Sequence, residues 1–177
     1  MEPGIRTDFN ELLTPMLGLA EKMLERSGEF RPFGARLAAG GQLAVIDVAP
    51  TLQDPSNPLI IDALYATFRL EARAGTIKAC AVCWDAMVPN EQGGGLTDAI
   101  AIGLEHRDGD PTVVLCTYER EPSGDLHFDD PITALGRRHV FDGPVLLTLR
   151  LVPCARGRVW PRSKDPVWVG PGRVVVS

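Results

Sequence analysis

Chemistry could begin at three places in this chain: two cysteines three residues apart, a glutamate next to a histidine, and an indole next to a carboxylate. Cys80-Ala81-Val82-Cys83 has the spelling of a redox or metal motif, which needs both sulfurs on one side of a turn or helix start. Here it lies in an alternating run, where positions three apart point to opposite faces of a strand, so packing is its expected role. Glu105 and His106 share another such run and face apart for the same reason. His106, His127 and His139 all lack a second ligand three or four residues away, and a solvated or hydrogen-bonded structural role is expected of them. Gly93-Gly94-Gly95 is not followed by Lys-Ser/Thr, and no G-x-G-x-x-G opens a helix, so a phosphate loop is not supported. Ser27, Ser56, Ser123 and Ser163 fall in caps or turns without a G-x-S-x-G setting. No catalytic residue, metal or cofactor is assigned.

What remains is a set of binding candidates. Trp84, with Asp85, Ala86 and Met87, reads as an edge segment that would make a binding ridge if exposed and core if not. Tyr65 and Phe68 belong to an apolar helix that either wedges into the core or forms a subunit interface. A competing enzyme reading draws on Asp85, Glu105, His106 and Tyr118 in a cleft at the sheet end. It requires two of these groups to converge and one to have a perturbed pKa.

These residues need elements to position them. Asp8-Phe9-Asn10-Glu11 has capping-box spacing, and Phe9, Leu12, Met16, Leu19 and Leu24 recur at helical period, which predicts a first helix near 8–27, kinked or delayed by Pro15 and stopped by Ser27-Gly28. A strand, a Gly40-Gly41 turn and a second strand follow over 30–48. Asn57-Pro58 combines a cap with the proline favoured at the first helical position, predicting a second helix over about 58–74. Strand-like segments at 76–88, 98–107 and 111–120 complete the order. Asp108-Gly109 predicts a two-residue hairpin turn that pairs Gly103 with Val114 and Glu105 with Thr112. The last two segments are apolar on both faces, so helices must cover both sides, and Ala99, Ala101 and Gly103 would admit one closely. The fold class is therefore α+β: an antiparallel sheet of about five strands between helices, in the order α-β-β-α-β-β-β.

Beyond Asp129-Asp130, 131–136 reads as a helical turn and 137–140 as a short strand. Residues 1–143 then form a single domain, and 144–177 form an Arg/Pro/Val-rich extension, either a docked hairpin or a poorly ordered tail. Charge changes sign near Pro131: residues 1–130 hold 10 Lys+Arg against 21 Asp+Glu, and residues 131–177 hold 8 against 2.

With 177 residues, 45% of them hydrophobic, a real core is expected. No apolar run approaches bilayer length, and the start lacks the features of an export signal. Four cysteines without disulfide-scaffold spacing fit reduced thiols in a cytoplasm. A net charge of -5 opposes a nucleic-acid partner for the whole chain. The basic extension, where Trp160 and Trp168 interleave with Arg158 and Arg162, could contact nucleic acid or fold onto the acidic first part.

Phe30-Arg31-Pro32-Phe33-Gly34-Ala35 and Leu104-Glu105-His106-Arg107-Asp108-Gly109 resemble an F-x-P-F-G-A strand and an L-E-H-R-D-G hairpin of small uncharacterised bacterial proteins, over about 8–142. The element order also resembles profilin-like and roadblock-like architectures. That resemblance implies adaptor or dimeric-regulator roles, with 30–38 and 111–119 central in the sheet and 42–48 and 76–88 toward its edges. The expectation is a cytoplasmic bacterial binding or regulatory domain with a protein partner or a second copy of itself, associating through the second helix or an edge strand.

Overall fold

The structure, a computed structural model, describes residues 1–46, 55–90 and 94–141, with the backbone of 167–168 and 174–175. It comprises α1 (Pro3–Ser27), β1 (Phe33–Ala38), β2 (Leu43–Ile46), α2 (Asn57–Arg73), β3 (Ile77–Pro89), β4 (Leu96–His106), β5 (Thr112–Arg120), β6 (Leu126–Phe128), β7 (Ile132–Leu135), β8 (Val167–Trp168) and β9 (Val174–Val175). The sheet runs β2-β1-β3-β4-β5-β6, with β7 also on β5, and one helix packs on each face. Fold class and layering are as expected. Strand order is not as the architectural resemblance implied: 76–88 lies in the middle, and only the second hairpin strand is an edge. Consecutive antiparallel strands joined by short hairpins favour neighbouring positions, which places β3 and β4 at the centre.

Helix α1 starts five residues earlier than the capping box indicates. Pro3 occupies its first turn, where a missing amide costs nothing, and Asp8 lies inside the helix with its carboxylate turned to the sheet. The helix continues through Pro15, whose exposed position leaves the unmatched carbonyl of the preceding turn facing water. Gly28 ends it in the left-handed conformation, φ 77°, donating its N–H to the Leu24 carbonyl. Phe9, Leu12, Met16, Ala20 and Leu24 are buried against Ala35, Leu37, Ala81, Cys83, Ile102 and Leu104. Leu19, expected in this stripe, points to solvent.

The β1–β2 hairpin closes through Ala38 N–H to Gln42 O and Gly41 N–H to Ala38 O, with Gly41 at φ 89°. This is a three-residue loop ending in a left-handed glycine, a standard hairpin connection. Ser56, not Asn57, caps α2, which lies across β1 and β3 on the other face and buries Ile60, Leu64, Tyr65 and Phe68. Its close approach is at Gly34, where a Cβ would stand 2.7 Å from Phe68 Cζ and 3.0 Å from Leu64 Cδ2. Ala99 and Ala101 are not where this helix packs.

The β4–β5 register differs from the expected one by a single residue: Gly103 pairs with Val113, and Leu104 with Thr112. A two-residue turn of the expected type needs positive φ at both central positions, and Gly109 is not among the residues with positive φ. The chain makes a longer loop in which Gly109 N–H reaches His106 O and Ile5 closes against Gly109. Because side chains alternate, this slip moves the whole of β5 to the opposite faces. Val114, Cys116 and Tyr118 therefore join Ile100, Ile102 and Leu104 under α1.

The segment expected as a helical turn is strand β7, which fills the edge of β5 that a turn would leave unpaired. Strand β6 and β7 both lie along β5, interrupted by Asp129, Asp130 and Pro131. Residues 137–140 are not the expected strand; side-chain bonds described below fix them. Of the C-terminal extension, β8 pairs with β9, and β9 runs parallel to β3 at Ala86 and Met87; its remaining residues lie outside those described.

Replacing Gly34 with alanine should lower unfolding free energy by about 1–3 kcal/mol, because Phe68 and Leu64 must give way. Urea denaturation of the wild type and Gly34→Ala checks this.

Candidate functional site

The polar side chains singled out by the sequence do not gather at one place. They fall into three separate groups, each bonded to its own chain.

The first is built on Glu105, which faces α2 and is almost wholly buried. Its carboxylate accepts the backbone N–H groups of His139 at 2.7 Å, Val140 at 3.0 Å and Phe141 at 3.4 Å. Three successive amides thus replace the water a buried carboxylate would lose. Arg138 reinforces the strap by donating to Gly109 O at 2.6 Å and to Phe141 O at 3.1 Å. Val140 is thereby held in the cluster of Ile60, Leu64, Tyr65, Cys80 and Val82. The His139 ring stacks on Tyr65, with centroids 4.3 Å apart. Burial, with Glu105 adding its charge, pushes the Tyr65 phenol far above its ordinary range. Burial holds His139 below its ordinary value of 6.5; Glu105 and Asp62 oppose this, and Arg137 and Arg69 assist it.

The second group lies on the other face. Asp8 of α1 accepts from Lys78 Nζ at 2.7 Å and pairs with His106 Nε2 at 3.1 Å. A break in the β1–β3 register between Leu37 and Ala38 frees Lys78 from strict alternation and allows its side chain to meet α1. His106 Nδ1 accepts the Asp108 N–H at 3.0 Å, which assigns its proton to Nε2, the atom facing Asp8. Both ring nitrogens are bonded within the chain, so the imidazole pins α1 to the hairpin.

The third is the buried pair in which Tyr118 donates to Asp85 Oδ1 at 3.0 Å beneath α1. Two members of the proposed enzyme set therefore do meet, but on the face opposite Glu105 and on a dry side of the sheet. Trp84 points the other way, with its six-membered ring beside Gly103 and its indole N–H buried and unpartnered among the described residues. The four residues from Trp84 to Met87 are consequently not an edge ridge: alternation in a central strand separates indole from carboxylate. Phe68 is fully buried and Tyr65 nearly so, which removes the apolar face of α2 from the surface.

Cys80 and Cys83 fall in opposite clusters, as alternation requires, and burial raises both thiols well above their ordinary range. Cys116, bonded to Asp129 O at 3.2 Å, is pushed up to about 11 by burial and nearby carboxylates. Among the described residues no group of His, Cys, Asp and Glu could hold a metal ion.

One accessible feature of the described residues lies elsewhere. An open groove of about 540 Å³ runs between β2, the end of β1 and the last turns of α2, lined by Arg36, Gln42, Ala44, Leu70, Glu71 and Ile77 among others. Arg36 is ion-paired with Glu71 inside it. Leu70 is 68% exposed. Neither groove nor edge was singled out residue by residue in the sequence; the signal was an apolar Leu70 among the charged residues of the later half of α2.

Two measurements probe the Glu105 strap. Glu105→Gln puts an amide donor against amide donors and should cost roughly 2–3 kcal/mol, with faster hydrogen exchange at His139, Val140 and Phe141. His139 binds its proton more weakly folded than unfolded, so the unfolded chain takes up the excess protons as pH falls below about 6.5. Its contribution to stability should therefore decline on acidification through that value and flatten below the folded pKa. His139→Phe, which keeps the stacked ring, should lose this component of the pH profile in denaturation experiments.

Comparison of the chain with protein-family models, with curated proteins and with solved structures finds no match.

Proposed function

We propose that this chain is a non-catalytic binding or regulatory domain of a bacterial cytoplasm that acts through protein contacts. The observation that carries the reading is a division of labour in the surface. The candidate groups Asp85, Glu105, His106 and Tyr118 are buried and bonded to their own chain at three separated places, whereas exposed apolar side chains lie at Leu43 and Val45 on β2, at Leu70 near the end of α2, and at Ile132 and Leu135 on β7. Leu70 lines an open groove on the α2 side of the sheet, and Leu43 and Val45 are exposed on the α1 side of β2, a composition that suits contact with a polypeptide. The free, buried state of Cys80, Cys83 and Cys116 is compatible with a reducing compartment. No described helix is long and apolar enough to cross a membrane.

A photo-crosslinking amino acid placed at Leu70 or at Ala44, in the cell that makes the chain, should give covalent adducts with a polypeptide. The same group at Glu121, exposed in the β5–β6 connection, should not. Absence of polypeptide adducts from both groove positions would overturn the reading.

A further inference from the structure

We propose that strand β2 pairs with β2 of a second copy, antiparallel, about a two-fold axis through Ala44. The proposal rests on the protein-contact reading above and names its partner.

The phase of the β1–β2 ladder sets the geometry. Ala38 bonds to Gln42, and Arg36 faces Ala44 in the same register. Bonded and non-bonded pairs alternate in an antiparallel ladder, so Gln42, Ala44 and Ile46 direct their main-chain groups to β1. Leu43 and Val45 direct theirs outward. Two outward residues flanking one inward residue are self-complementary: Leu43 of each copy exchanges both main-chain bonds with Val45 of the other. Ala44 meets its symmetry mate on the axis, where its small side chain leaves room. On the α1 side the same register lays Leu43 against Val45 of the other copy, covering side chains that are 41% and 47% exposed in the single chain.

Charge does not oppose this pairing. The run Gly40-Gly41-Gln42-Leu43-Ala44-Val45-Ile46 carries none, and Arg36, the nearest charged residue across the ladder, is neutralised by Glu71 of its own chain. Sheet edges that must stay solitary are guarded by charge, proline or bulges. At the other side of the sheet, charge, proline and a one-residue shift of register at Asp129, Asp130 and Pro131 break the edge into the short strands β6 and β7. Among the described residues no strand pairs with the outward side of β2, and pairing of that edge with itself about a two-fold axis uses it up in both copies, which gives a closed pair.

Strand length sets the strength. Four residues a side bury on the order of 500 Å², below the roughly 1,200 Å² of stable complexes, so the dimer is weak and reversible.

Sedimentation equilibrium of the full chain from about 10 µM to 1 mM reads this directly. The weight-average mass of the wild type should rise from 19.2 kDa toward twice that value. Val45→Pro removes an outward N–H without touching the bonds to β1, and Val45→Lys places a charge at an exposed position. Both should stay at monomer mass with an unchanged melting temperature. Oxidation of Ala44→Cys should give a covalent dimer, since directly opposed non-bonded pairs have disulfide spacing, and Gln42→Cys should not. A wild type that remains monomeric at the highest concentration overturns the proposal, as does a dimer unaffected by both Val45 variants. If that monomer still crosslinks another polypeptide from Leu70, the second copy is excluded and the protein-contact reading stands. If no polypeptide is captured either, both fall.

Discussion

The constraint on which the structure depends is that its central strands, β3 and β4, are dry on both sides. A half-buried strand is apolar on one face only; in Ile77–Pro89 and Leu96–His106 both faces carry buried apolar side chains, and each must be covered. Helix α1 covers one face with a single continuous stripe. The other face is divided: α2 takes β1 and β3, and the strap around Val140 fills the space beside Tyr65. Burying side chains on two faces supplies the hydrophobic gain that offsets chain ordering, but it also encloses Asp85, Glu105 and His106, and each enclosed polar group then needs a partner from its own chain.

That requirement explains why the candidate residues resemble a site without forming one. Glu105 is paired by backbone amides, His106 by Asp8 and Asp108, and Asp85 by Tyr118. Glu105 holds the 139–141 strap and His106 with Lys78 holds Asp8 of α1, so these groups fasten other elements to the sheet, while the Asp85–Tyr118 bond joins β3 and β5 within it. Accessible apolar surface is left at the rims of the sheet, at β2 with the end of α2 and at β7.

Much of the fold was legible because it rests on periodicity. The two helices, the first hairpin, the three long strands and the placement of Cys80 and Cys83 on opposite faces all follow from alternation and helical spacing. What was not legible depended on contacts between distant residues. Asp8 looks like a cap until Lys78 and His106 are seen to claim its carboxylate. Asp108-Gly109 looks like a two-residue turn until Ile5 and the Asp108 N–H to His106 bond are seen to shape a longer loop, and that single-residue difference reverses β5. Residues 131–136 have no strong local preference, and the free edge of β5 decides their conformation. The Glu105 strap has no local signature, since its donors are main-chain amides 34 to 36 residues away.

The same distance orders events as the chain is made. Every strand from β1 to β5 leaves the ribosome before the amides that receive Glu105, so for that interval the nascent sheet holds a carboxylate facing a layer not yet built. Until Phe141 emerges, that side of β4 must stay hydrated or loosely packed, and closing the strap is the step that seals it. Vectorial synthesis thus delays the locking of the second face until residues 139–141 have emerged, leaving the α1 side to consolidate first.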